Sequence, residues 1–148
     1  MISFTIYGEP FGKKRPRANI IAGHAHIHND PENERYELKV INAYQKAVGK
    51  QDTPTFCKGE LLSVIIHSFY PIPKAFGKKK RELANKFILR PTKKPDCDNI
   101  AKSILDALNH IAYYDDSQVV QLSVSKNYSE NPFTAVTISA YDEQGEIK

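Results

Sequence analysis

The run Leu61 to Tyr70 (LLSVIIHSFY) constrains the chain more than any other stretch. It is too apolar and too β-branched for a surface helix and too short for a deep one, so it reads as a central strand closed by Pro71 and Pro73. His67 within it is expected to be a satisfied core histidine. Ile2 to Tyr7 sets Ile2, Phe4 and Ile6 against Ser3, Thr5 and Tyr7, the period-2 mark of a half-buried strand. Val119–Lys126 and Phe133–Tyr141 read as a closing pair of strands joined by a turn through Ser129, Glu130, Asn131 and Pro132. Helical spacing marks Pro31–Val48, with Glu32 and Glu34 in its first turn and Gly49 at its end, then a short basic helix over Lys78–Lys86 and a third over Cys97–Asn109. No periodicity persists from Gly8 to about Asp30, and residues 50 to 58 also read as loop. The tail from Asp142 is expected to fray. A length of 148 residues suits one domain spanning 1–148. The expected fold class is α+β, an approximately four-stranded mixed sheet packed with about three helices.

The third helix carries the chemistry. On a helical wheel Asp98, Lys102, Asp106 and Asn109 share one arc, while Ile100, Ala101, Ile104, Leu105 and Leu108 occupy the opposite side. Asp96 and Asp98 stand at its start, where acids suit the helix dipole and can cap free N–H groups. Asp115 and Asp116 follow a short turn. Five aspartates thus fall within 21 residues, against the single lysine Lys102. Gathered carboxylates repel one another and raise a pKa unless a cation compensates. A hard divalent ion such as Mg²⁺, bound through one or two carboxylates plus water and substrate phosphate, removes the conflict without histidine or cysteine. Taken singly, each acid also fits a plainer role as a cap, a turn residue or, for Asp106, an i,i+4 partner of Lys102.

The formal charge of +4 is unevenly spread. Lys13, Lys14, Arg15 and Arg17 form one basic cluster. A second runs from Lys74 to Lys94 and includes Lys78, Lys79, Lys80, Arg81 and Lys93, with Glu82 its only acid. Acids within a basic frame suit a polyanion held by cations while a metal works on one phosphate. A solvated charged surface is the alternative. Pro16 keeps the first cluster on extended backbone. His24, His26 and His28 alternate but lack a nearby acid or cysteine to complete a transition-metal site. Cys57 and Cys97 are isolated and expected to stay reduced. No apolar run approaches the ~18 residues of a membrane span. A cytoplasmic protein without membrane association is expected.

The run Lys94-Pro95-Asp96-Cys97-Asp98-Asn99 with Lys102, then Leu105-Asp106-Ala107-Leu108-Asn109 and Asp115-Asp116-Ser117-Gln118-Val119, resembles the RusA family of Holliday junction resolvases. The resemblance extends to Gly12-Lys13-Lys14-Arg15-Pro16-Arg17 and Pro71-Ile72-Pro73-Lys74, covering nearly the whole chain. It implies a small homodimeric α/β endonuclease, bacterial or prophage-encoded, that uses Mg²⁺ (with Mn²⁺ as a substitute) to nick four-way DNA junctions symmetrically. By motif it implies Asp96, Asp98 and Asp116 as the essential metal-binding acids, with Asp115 as an additional candidate ligand and Lys102 as the essential cation beside them.

On this assignment the acids hold the metal, and Lys102 stabilises charge on the phosphate or orients the attacking water. Its plainer role is a salt bridge to Asp98 or Asp106. Lys13, Lys14, Arg15, Arg17, Lys74, Lys78, Lys79, Lys80, Arg81, Lys93 and Lys94 would bind the DNA backbone. A binding module without catalysis, a metal-dependent nuclease for flaps or other branched DNA, and a small-nucleotide phosphohydrolase are the rival readings.

Overall fold

A computed structural model describes residues 1–142; the expectation for the tail falls, from residue 143 on, outside the described residues. The elements in chain order are β1 (Ile2–Tyr7), β2 (Arg17–Ile21), β3 (His24–His28), α1 (Pro31–Val48), β4 (Leu62–Pro71), α2 (Lys78–Asn85), α3 (Cys97–Leu108), β5 (Val119–Ser129) and β6 (Phe133–Ala140). Among the described residues this is a single α+β domain, with three helices, a mixed four-stranded sheet and a separate two-stranded one.

The main sheet has the order β1-β6-β4-β5. The apolar run is central, as its composition requires: β4 pairs antiparallel with β6 on one side and parallel with β5 on the other. The expected pairing of β5 with β6 is therefore wrong. The short link Glu130–Pro132 is of hairpin length, but it spans the end of β4 rather than joining neighbours. Pro71 and Pro73 turn β4 out of the sheet at that point, and Ile72 N–H donates to Ser129 C=O (3.2 Å) across the junction.

Leu62, Val64, Ile66, Ser68 and Tyr70 point to the buried face of β4, and Phe4, Ile6, Val136 and Ile138 extend that face across the sheet. Tyr36, Val40 and Tyr44 of α1 and Ile100, Ile104 and Leu108 of α3 join the same core. Each fully buried aliphatic side chain contributes about 1.5–3 kcal/mol. α1 starts cleanly because Asp30 accepts from Glu32 N–H (2.9 Å) and Pro31 opens the first turn; Gly49, at a φ of 81°, ends it. His67 is not a core residue. Strand alternation turns it to the opposite face, where it is exposed and its Nδ1 lies 2.6 Å from Ser125 Oγ.

Residues 17–28, expected as loop, form the β2–β3 hairpin. Ala22 (φ 51°) and Gly23 (φ 79°) make the two-residue turn, both at the positive φ that a hairpin of this length demands. Alanine is a poor marker for that conformation, and every residue of both strands is exposed, so no hydrophobic alternation announces them.

Candidate active site

α3 has the two faces its spacing implies. Ile100, Ile104 and Leu108 are fully buried, with Ala101 and Ala107 nearly so, while Asp98 and Lys102 are exposed and Asp106 is half-buried. Leu105, placed on the core side by the wheel, is only half-buried. Asp96 occupies the N-cap position with extended backbone, yet its side chain makes no capping bond. Among the described residues the carboxylates of Asp96 and Asp98 make no hydrogen bond or ion pair, so both remain available at the positive end of the helix dipole. Tyr70 Oη donates to Pro95 C=O (2.7 Å) across the cis Lys94–Pro95 bond, tying this end of α3 to the central strand. Burial pushes the Tyr70 phenol well above its ordinary pKa, and the neighbouring Cys97 and Asp96 push it further.

The Asp115–Gln118 segment is a single 3₁₀ turn over Asp116–Gln118, immediately before β5. Asp115 caps it, accepting from Ser117 N–H (2.8 Å), and the Ser117 side chain first, then this backbone bond, hold its carboxyl below the usual carboxylate range. Gln118 completes a capping box and goes further. Its Oε1 accepts from Tyr114 N–H (2.9 Å) and Asp115 N–H (3.2 Å), while its Nε2 donates to Cys57 C=O (2.8 Å) and Glu60 C=O (3.0 Å). The buried amide pins the acidic turn to the 57–60 loop. Beneath it Tyr113 Oη donates to Leu105 C=O (2.7 Å). Burial raises the pKa of that phenol strongly, and the Asp116 and Asp106 carboxylates add to the effect.

Asp98 and Asp106 are separated by about 12 Å of helix rise, and among the described residues no group of three histidine, cysteine, aspartate or glutamate side chains is arranged as a ready metal centre. The donor set still fits a hard, hydrated ion, which needs only one or two carboxylates from the protein. Asp106 is committed elsewhere. It pairs with Lys13, not with Lys102, and Glu37 stands 3.7 Å from the same ammonium. Lys102 makes no salt bridge to Asp98 or Asp106.

Lys13, Lys14, Arg15, Pro16, Asn99, Lys102 and Asp106 line an open cleft of about 430 Å³ beside α3. Gly12 lets the basic segment approach the helix: a Cβ there would lie 2.6 Å from Pro95 Cβ and 3.2 Å from Asn99 Cβ. Ser103 Oγ donates to Phe11 C=O (3.0 Å), and Lys13 N–H donates to Asn99 C=O (3.2 Å). Asn33, on α1, holds the backbone of Lys14, while Lys14 Nζ pairs with Glu32 and Arg17 with Asp30 (3.1 Å).

The second basic cluster is divided. Lys74, Lys78, Lys79 and Lys80 are exposed at and before the start of α2, whereas Arg81 is bound to Glu130 (3.0 Å to each carboxylate oxygen). Lys93 and Lys126 lie 5.7 and 5.2 Å from the centre of the Tyr70 ring, and Lys94 is exposed just before Asp96. Sequence reasoning assigns no role to Gln118 or Asn33. A signal existed for Gln118, since Asp115-x-x-Gln118 is a capping-box spacing; Asn33 carries none, because the backbone it holds, at Lys14, lies 19 residues away.

The chain is 45% identical over 139 residues to the uncharacterized protein YqaN of Bacillus subtilis (strain 168), a match covering 93% of this chain and 94% of that protein. The model of the family described as Endodeoxyribonuclease RusA matches residues 7–139. The chain belongs to the RusA family of endodeoxyribonucleases.

Proposed function

We propose that this endonuclease is a Mg²⁺-dependent enzyme specific for branched DNA, which as a homodimer resolves four-way junctions by paired symmetric nicks during recombination and repair in the bacterial cytoplasm. One observation carries the reading: two uncommitted carboxylates, Asp96 and Asp98, open the helix whose exposed face continues into a cleft bordered by Lys13, Lys14, Arg15 and Lys102. Asp96, Asp98 and Asp116 would hold Mg²⁺, or Mn²⁺ in its place, and the bound ion would supply charge neutralisation at the scissile phosphate and acidification of a water. The commitment of Asp115 to its own turn supports Asp116 as the ligand of the two.

Lys102 has an exposed side chain in the same cleft, where its ammonium meets the negative charge that develops on a phosphate during hydrolysis. Lys13, Lys14 and Arg15 grip flanking phosphates, and Arg17, Lys74, Lys78, Lys79, Lys80, Lys93 and Lys94 extend the basic track along the arms. Arg81 serves it only by leaving Glu130. A two-fold dimer presents two equivalent sites to two equivalent strands.

The test is cleavage of an immobile four-way junction and a matched linear duplex in Mg²⁺, comparing wild type with Asp98→Asn. Paired nicks confined to the junction and abolished by Asp98→Asn, with binding retained, are expected. Binding without cleavage by either protein would overturn the catalytic assignment, and equal cutting of linear DNA or flaps would overturn the junction specificity.

A further inference from the structure

Lys13, Lys14 and Arg15 border the cleft on a segment that belongs to neither helix nor sheet, between β1 and β2. One amide supplies the missing ladder. Asn33, in the first turn of α1, accepts Lys14 N–H at Oδ1 (2.8 Å) and donates from Nδ2 to Lys14 C=O (2.9 Å). Those two bonds to one residue are the pair a facing β-strand residue would make. The same Nδ2 donates to Asn29 Oδ1 (2.9 Å), which fixes the amide plane, and Asn33 is only 2% exposed. On its other side the segment is anchored to α3 through Lys13 N–H and Phe11 C=O. In the free protein Lys13 rests on Asp106 and Lys14 on Glu32, partners that a phosphate can replace without leaving the cation unpaired.

We propose that Asn33 is a positioning residue for phosphate capture: its amide sets the backbone of residues 13–15 so that their three cations meet a DNA strand as one preset clamp. The inference rests on the reading of this cleft as the DNA site. Only a side chain with a donor and an acceptor in one plane can serve both backbone groups of Lys14. Asp lacks the donor, and Ser cannot span both. Order established before binding removes the entropy cost that a loose segment would meet on the DNA.

The experiment is the salt dependence of affinity for a labelled four-way junction, measured without divalent metal. It compares wild type, Asn33→Ser, a triple variant (Lys13→Ala, Lys14→Ala, Arg15→Ala), and the two combined. Each phosphate contact contributes about 0.9 to the slope of log K against log salt, and roughly ten-fold in affinity at 0.1 M salt. Asn33→Ser should lower the slope by about two units or more, approaching the triple variant, and should change nothing further on the triple background. A general loss of stability would not produce that non-additivity. A folded Asn33→Ser protein with the wild-type slope, or an equal further loss on the triple background, would overturn the proposal. If Asn33→Ser fails to fold, Asn29→Ala, which removes only the bond orienting the amide, takes its place: an intermediate slope supports the clamp and an unchanged slope refutes it. Wild-type binding with a steep slope but no cleavage in Mg²⁺ would remove the nuclease reading and leave this inference standing; absence of wild-type binding would remove the DNA site itself.

Discussion

Replacing Gln118 by leucine tests whether one buried amide holds the acidic turn in place. The side chains are close in size, so packing is nearly conserved, but four hydrogen bonds disappear: two accepted from Tyr114 and Asp115 N–H, two donated to Cys57 and Glu60 C=O. An unsatisfied buried polar group costs about 1–3 kcal/mol. Tyr114, Asp115, Cys57 and Glu60 lie near enough to the surface for water to recover part of that, which leaves a net loss of about 2–4 kcal/mol. At about 2–4 °C per kcal/mol for a domain of this size, Tm should fall by roughly 5–15 °C. Gln118→Glu sharpens the test. Its carboxylate would face two carbonyl oxygens, so its folded pKa lies above the unfolded one. Such a group favours the fold below its unfolded pKa and progressively less as pH rises through the folded value. The deficit of Gln118→Glu against wild type should therefore shrink between pH 7 and pH 5, while that of Gln118→Leu should not. Thermal unfolding by circular dichroism at both pH values measures this. A Gln118→Leu protein that melts within 1 °C of wild type would refute the anchoring argument.

Gly12→Ala should push the basic segment away from Pro95 and Asn99, weakening DNA binding several-fold with a Tm loss smaller than that of Gln118→Leu; gel-shift titration and calorimetry together check it. Ile104→Ala empties a fully buried site between α3 and the sheet and should cost about 2–5 kcal/mol in urea unfolding. The Glu32 N–H, assisted by Arg17 and Lys14, holds Asp30 below the usual carboxylate range, and the Ser117 bonds do the same for Asp115. Depressed carboxylates stabilise the fold above their unfolded pKa and cease to do so as pH falls through the folded value. Tm should thus be level above about pH 5 and decline below about pH 4, and the acid limb should flatten in the double variant Asp30→Asn, Asp115→Asn.

Much of this protein is written in local pattern. The alternation of Ile2–Tyr7, the apolar run of β4 and the caps and stripe of α1 and α3 are decided by neighbours within a turn or a pleat, so reading them needs no knowledge of the fold. The carboxylates of α3 and the cations of residues 13–17 are legible for the same reason, as charge placed at short spacing. Partnership across the fold is not. β5 and β6 lie three residues apart in sequence yet flank β4, because which strands pair depends on where β4 leaves the sheet. Asp106 takes Lys13 from 93 residues away instead of Lys102 one turn away, since the approach of Gly12 to Pro95 brings that ammonium to the helix. His67 is exposed because only the sheet decides which face of a strand is covered. The sequence by itself determined most of the elements, the acids and the cations, whose causes are local, but not the fully exposed β2–β3 hairpin. Only the tertiary structure decided which acids stay uncommitted and which amides, Asn33 and Gln118, hold the segments of the candidate site, because those bonds reach backbone groups that are distant along the chain.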